Sequence, residues 1–179
     1  QLTDVSLPSN EKVTRLRVLS DSLVYALSAN TLWKTTDAGN TWDSIYPAPA
    51  GQYGDVSFIN ENIGYLNAAD SGLVKTTDGG LNWQLVDTCP VGRMVFTDEM
   101  NGHIQRNFYT YTTSDGGNTW IEYDTTDWSG SNGDFSFPSN NVVYIAGWYV
   151  GELHKTTDGG TNWTLLNVTG ELWDVFFHT

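Results

Sequence analysis

The sequence predicts an all-β fold of repeated four-stranded antiparallel units, and three observations carry that prediction. The first is an eight-residue motif written four times: Thr35-Thr36-Asp37-Ala38-Gly39-Asn40-Thr41-Trp42, and its counterparts at 76–83, 113–120 and 156–163. Each copy has Thr two before an Asp, Gly two after it (Gly39, Gly80, Gly117, Gly160) and Trp at the end. The second is spacing: Asp37, Asp78, Asp115 and Asp158 stand 41, 37 and 43 residues apart. A period of about 40 marks an array whose units cannot each bury their own apolar face. The third is composition, with 13% aromatic residues, 18 Gly and no long segment of helical periodicity, which suits strands joined by tight turns.

The second unit shows the elements in order. Residues 55–58 alternate polar and apolar and stop at the turn cluster Asn60-Glu61-Asn62. A second strand, 64–68, ends at Asp70-Ser71-Gly72, a third covers 73–77, and a fourth follows the Asp-Gly-Gly turn at 83–86. Four short antiparallel strands per repeat make one blade of a β-propeller. The other units read alike: first strands at 15–19, 93–96 and 134–137, second at 23–27, 102–106 and 142–146, third at 32–36, 109–113 and 153–157, fourth at 42–46, 120–123 and 163–166.

The chain is thus one propeller domain or segment, 1–179, with blades at about 15–46, 55–86, 93–123 and 134–166. Residues 173–177 match a first strand and 2–7 a fourth strand without its Trp. A closed ring holds roughly four to eight blades and is sealed by strands from both termini. The leftover strands predict a longer parent chain, an incomplete fifth blade or two chains completing one another, and the first is the simplest. The chain begins at Gln1, as a mature or excised segment would.

The repeated turn explains its own residues. Backbone at positive φ calls for Gly after the Asp. The carboxylate is placed to accept amide hydrogens of its own turn, the Thr two before it lends a hydroxyl, and the Trp buries the hairpin. Asp37, Asp78, Asp115 and Asp158, with Trp42, Trp83, Trp120 and Trp163, are therefore structural. Each turn offers one carboxylate with no second acidic partner, which speaks against calcium. No metal and no cofactor are expected.

Net charge is −13, from 21 acidic and 8 basic residues. Such a surface repels phosphate, which argues against nucleic acid and anionic membranes, and no apolar run is long enough to span a bilayer. The lone Cys89 forms no internal disulfide and is read either as an apolar filler, the commoner case, or as a reactive or intermolecular thiol. Sequons at Asn162 and Asn167 matter only in a secretory eukaryote, and the first is already explained by its motif.

The run DVSF…GYL…LVKTTDGG…NW at 55–83 resembles the Asp-box (bacterial neuraminidase) repeat, most closely that of photosystem II stability/assembly-factor-like propellers. The likeness covers nearly the whole chain. Similar repeats occur in sialidases, sortilin-type receptors, xyloglucanase-type glycosidases and secreted bacterial proteins. The resemblance implies that the box is a scaffold element remote from active sites; it supplies the fold and not the chemistry. It also implies an arginine-rich binding surface for the assembly factors, whereas this chain has only Arg15, Arg17, Arg93 and Arg106.

Ligands of propellers meet the face where fourth-to-first and second-to-third loops emerge. Aligning the blades puts Arg15, Asp55, Arg93, Asp134 and Asp174 at one position, the start of the innermost strand, with Arg15 and Arg93 as the arginines directed to the channel. These residues either ring the channel mouth or cap strand starts and pair with neighbours. Tyr53, Phe108, Trp128, Trp148 and Tyr149 lie in loops at that end and fall outside the repeat template; they suit stacking against sugars or protein surfaces. The expected function is a non-catalytic extracellular, cell-surface or periplasmic module. Its expected partner is a protein or a neutral glycan, with self-association or further blades of a parent chain completing the ring. The rival is a fragment of a propeller glycosidase, which needs two carboxylates across a cleft; Asp55, Asp134 and Asp174 could supply a pair.

Overall fold

A computed structural model of the chain describes residues 7–8, 11–47, 53–68, 72–87, 92–106, 109–124, 132–139, 141–147 and 152–168. Among the described residues there are sixteen strands and no helix. They form four antiparallel sheets, each built from four consecutive strands in sequence order. Blade 1 is β1 Val13–Val18, β2 Val24–Ser28, β3 Thr31–Thr35 and β4 Asp43–Pro47. Blade 2 is β5 Tyr53–Phe58, β6 Gly64–Ala68, β7 Gly72–Thr76 and β8 Gln84–Asp87. Blade 3 is β9 Arg93–Phe96, β10 Gly102–Arg106, β11 Tyr109–Thr113 and β12 Ile121–Asp124. Blade 4 is β13 Asn132–Ser136, β14 Val143–Gly147, β15 Glu152–Thr156 and β16 Thr164–Asn167.

All sixteen expected strands exist, each within two residues of its sequence-derived bounds. Two details differ. Trp42, Trp83, Trp120 and Trp163 precede the fourth strands instead of opening them, and they are half-buried instead of buried. The reason is that the indole lies over the hairpin: Trp83 and Trp120 donate Nε1–H to the carbonyls of Gly80 and Gly117, both at 3.0 Å. The same rings meet Phe58 and Phe96 edge-on at 6.1 Å. Tyr53, expected in a loop, opens β5 opposite Ala68, because a bulge between Tyr53 and Asp55 prolongs the ladder. The strands expected at 2–7 and 173–177, and Cys89, lie outside the described residues, apart from Leu7.

Contacts group the chain into two compact units, residues 1–94 and 95–179. In the first, blades 1 and 2 share a core of Tyr25, Leu27, Leu32, Val56, Phe58, Leu66 and Val74. Tyr25 stacks on Phe58 with centroids 3.6 Å apart. That stack depends on Gly64, where a Cβ would stand 2.4 Å from the Phe58 ring. Phe96 covers Gly102 in blade 3 the same way, at 2.6 Å. No helix of the described residues is long and apolar enough to cross a membrane.

Candidate functional site

The four repeated turns are closed hydrogen-bond systems. Thr35, Thr76, Thr113 and Thr156, all buried, donate their hydroxyls to the box carboxylates at 2.7–2.9 Å. The same hydroxyls accept the amide of the box Gly at 2.9–3.0 Å. Oδ1 of each Asp also accepts the amide of the residue four later, at 2.8–2.9 Å. Oδ2 is held by that residue's side chain, Thr41, Asn82, Thr119 or Asn162, at 2.6–2.8 Å. This last partner escaped the sequence reading, although the position is always Thr or Asn. Hydrogen bonds to the charged form hold all four carboxyls below the usual range. Asp78 and Asp115 sit at about 2, chiefly through the side chains of Asn82 and Thr119, and Asp158 at about 2, chiefly through the Asn162 amide. Asp37 is lowered mainly by the Thr41 hydroxyl.

The expected positive φ is present throughout: Gly39, Gly80, Gly117 and Gly160 lie between 88° and 98°. The residue before each is also left-handed, and in the first box that residue is Ala38, at φ 60°. Its amide donates to Ser22 O at 3.0 Å, as Gly79, Gly116 and Gly159 donate to the first-to-second turn of their own blades. Both hairpins of a blade therefore share one end, and the second-to-third loops lie at the other.

Of the residues aligned at the innermost strand starts, Asp55 is 1% exposed and fully engaged. Arg17 Nη2 donates to both its oxygens at 3.0 Å, and Arg15 Nε lies 3.7 Å from Oδ1. The amides of Val56 and Met94 donate to Oδ1 and Oδ2 at 2.8 and 3.0 Å. Asp55 thus ties blades 1 and 2 to the first residues of β9. The second arginine of the group is Arg17, not one of those expected to point to the channel, because residues two apart share a strand face. Asn67 adds a link that the sequence did not disclose: it accepts the Asp55 amide at 2.8 Å and donates to Gly92 O at 3.1 Å. Arg93 is half-buried. Asp134 lies in β13, where the ladder shifts register between Asn132 and Phe135; its side chain, like that of Tyr53, is outside the described ones. Phe108, Trp128, Trp148, Tyr149 and Asp174 also lie outside the described residues.

Among the described residues, two cavities of about 280 Å³ open at the box end. One, between blades 1 and 2, is lined by Lys34, Glu61, Asn62, Asp78 and Gly79 among others. The other, between blades 3 and 4, is lined by Asn101, His103, Thr112, Asn141, Asp158 and Gly159 among others. Among the described residues no group of three His, Cys, Asp or Glu could hold a metal ion.

No family model matches the chain, and no curated protein does. Solved structures do. YCF48 bound to a D1 peptide matches at a TM-score of 0.73 and 19% identity over 96% of this chain and 59% of that one. YCF48 from Cyanidioschyzon merolae matches at 0.71 and 16% over 95% and 61%. The GH74 enzyme of Niastella koreensis matches at 0.60 and 18% over 81% and 27%. The chain spans about three-fifths of the YCF48 chains and about a quarter of the GH74 enzyme. At such identities the likeness is one of fold. The chain carries the fold of a partial β-propeller built from four four-stranded antiparallel blades.

Proposed function

We propose that the chain is a non-catalytic, extracytoplasmic interaction module that recognises a protein segment through the loops at the end opposite the boxes. The observation that carries this reading is the match in fold, over 96% of the chain, to a YCF48 propeller bound to a D1 peptide. Two features support it. The box carboxylates are consumed by their own turns, and Asp55 by Arg17 and two amides, so these acids serve the scaffold. A net charge of −13 selects a basic or neutral partner; a neutral glycan is the alternative ligand for the same aromatics. Tyr53, Phe108, Trp128, Trp148 and Tyr149 supply the contact area, with Arg15, Arg93, Asp134 and Asp174 at its centre, since Trp, Tyr and Arg anchors dominate binding at such surfaces.

The test is a pull-down and a glycan array with the full chain, Trp128→Ala and Trp148→Ala. Both variants should lose at least about tenfold in affinity, an anchor's typical share. Binding at wild-type strength by both would remove these loops from the site. A second reading, a glycosidase fragment, is favoured by the GH74 neighbours. Hydrolysis of xyloglucan or sialosides, abolished by Asp134→Asn or Asp174→Asn, would replace the first reading.

A further inference from the structure

A paired Tyr and Lys recurs at the box end of three blades and is replaced in the third. Lys34 lies over Tyr25, Lys75 over Tyr65 and Lys155 over Tyr144, with ammonium-to-centroid distances of 5.6, 5.3 and 5.3 Å. Each pair faces across its central ladder: Tyr25 opposite Lys34, Tyr65 opposite Lys75, Tyr144 opposite Lys155. Between blades 1 and 2 the ammonium is used, for Lys34 Nζ donates to Gly79 O, in the next blade's box, at 3.0 Å. Blade 3 has His103 opposite Thr112 at these positions.

The rest of the arrangement is preserved. His103 stacks on Phe137 at 4.5 Å, as Tyr25 stacks on Phe58. Gly159 donates to Asn141 O at 3.0 Å, as Gly79 donates to Asn62 O at 2.8 Å. The cation is gone, and an imidazole stands in place of the tyrosine ring. The imidazole, 4% exposed, has both ring nitrogens without a protein partner, and it lines the cavity of about 280 Å³. Burial holds its pKa down to about 4, so the ring is neutral and keeps one lone pair to accept a hydrogen bond. The polar face continues along the strands: Gln105 and Thr110, opposite each other, stand where blade 1 has Leu27 and Leu32. Gln105 Nε2 and Thr110 Oγ1 are likewise without protein partners. Unpaired buried polar groups carry a desolvation cost that a ligand removes.

We propose that the cavity between blades 3 and 4 binds a primary ammonium group, which takes the place that Lys34 fills in blade 1. His103 would accept one of its hydrogens, the Gly159 carbonyl a second by analogy with Gly79, and the Asp158 carboxylate adds negative potential. An anion is disfavoured by Asp158, and by a lining that holds no Lys or Arg among the described residues and only a neutral imidazole. The ammonium can come from a small amine or from a lysine of a peptide. This inference is independent of the interaction-module reading, since the cavity lies at the opposite end of the blades.

The experiment follows the His103 ring nitrogens by NMR in the full ¹⁵N-labelled chain. Titrants at matched ionic strength are methylammonium, tetramethylammonium, sodium, and a lysine tripeptide against its norleucine analogue. Methylammonium should give a saturable shift that the quaternary and sodium salts do not; a response to the lysine peptide alone would assign the site to peptides. Thr112→Lys, and the double variant His103→Tyr with Thr112→Lys that restores the pair of the other blades, supply the ammonium internally. Methylammonium should raise the Tm of wild type and leave the folded variants unmoved, a loss of at least about tenfold in apparent affinity. A His103 ring that ignores both methylammonium and the lysine tripeptide, or that responds equally to all three salts, overturns the proposal whatever the variants do. An equal methylammonium response in a folded variant overturns it too.

Discussion

Asp55 offers the sharpest separation of a scaffold role from a binding role. Asp55→Ala removes the acceptor of the Val56 and Met94 amides and the partner of Arg17. Each buried amide left unpaired costs about 1–3 kcal/mol. The arginine adds little, because the Arg17 side chain is 33% exposed and stays solvated. The sum over the two amides is about 2–6 kcal/mol, a large share of the roughly 5–15 kcal/mol that holds a domain. Domains of this size lose roughly 2–4 °C per kcal/mol, so Tm should fall by roughly 4–24 °C. Asp55→Asn keeps one acceptor oxygen and should lose about half as much. Urea unfolding followed by tryptophan fluorescence measures both. An Asp55→Ala protein within about 1 kcal/mol of wild type would refute the energetic role assigned to this carboxylate. Normal stability with lost partner binding would place it in the recognition surface.

Other perturbations test other parts. Thr76→Val is isosteric but leaves the buried Gly80 amide without its 2.9 Å acceptor; it should cost about 1–3 kcal/mol by chemical denaturation, and partner affinity should not change. Gly64→Ala drives a methyl into the Phe58 ring, and overpacking of about 1–3 kcal/mol should appear as a lower Tm. Ala38→Gly relieves a left-handed alanine and should raise stability by about 0.5–1 kcal/mol. Acid should destabilise in two windows. His103 has a folded pKa lowered to about 4 from 6.5, so its contribution is full at neutral pH and is lost as pH falls between those values, when only the unfolded ring protonates. Asp78, Asp115 and Asp158, lowered from 3.8 to about 2, keep their contribution above pH 3.8 and lose it on approach to pH 2. His103→Phe should shrink the first window in a pH series of Tm values, leaving the share of His154, whose pKa burial also lowers, and should leave the second unchanged.

The blades were legible because the repeat states its information four times. Turn glycines, strand alternation and spacing agree in every copy, so all sixteen strands could be placed. The box bonds followed from Thr, Asp and Gly at fixed offsets, and only the Thr or Asn four after the Asp went unread. Contacts between blades were less legible. Arg17 could be paired with Asp55 only once two sheets were packed, and Asn67 bridging to Gly92 depends on a carbonyl, which leaves no mark in the residue code. The cavity at His103 was readable in principle: aligning Tyr25, Tyr65 and Tyr144 against His103, and Lys34, Lys75 and Lys155 against Thr112, isolates the exception. The template-focused reading instead sought function in loops outside the repeat, most of which lie outside the described residues.

Each sheet ends in a fourth strand that pairs on one side only within it. These outer strands carry exposed apolar residues, Leu85, Ile121 and Leu165, on an open ladder of the kind that templates edge-to-edge association. Their protection is brevity, five residues in β4 and four in β8, β12 and β16, together with mutual repulsion of a highly anionic surface. Repulsion fades as pH falls toward the isoelectric point that the composition gives, near 4.2, which lies above the range in which the box carboxyls protonate. A band of mild acidity therefore exists in which the protein is folded yet least soluble. Turbidity should peak there, disperse on added base, and appear before any loss of tryptophan signal.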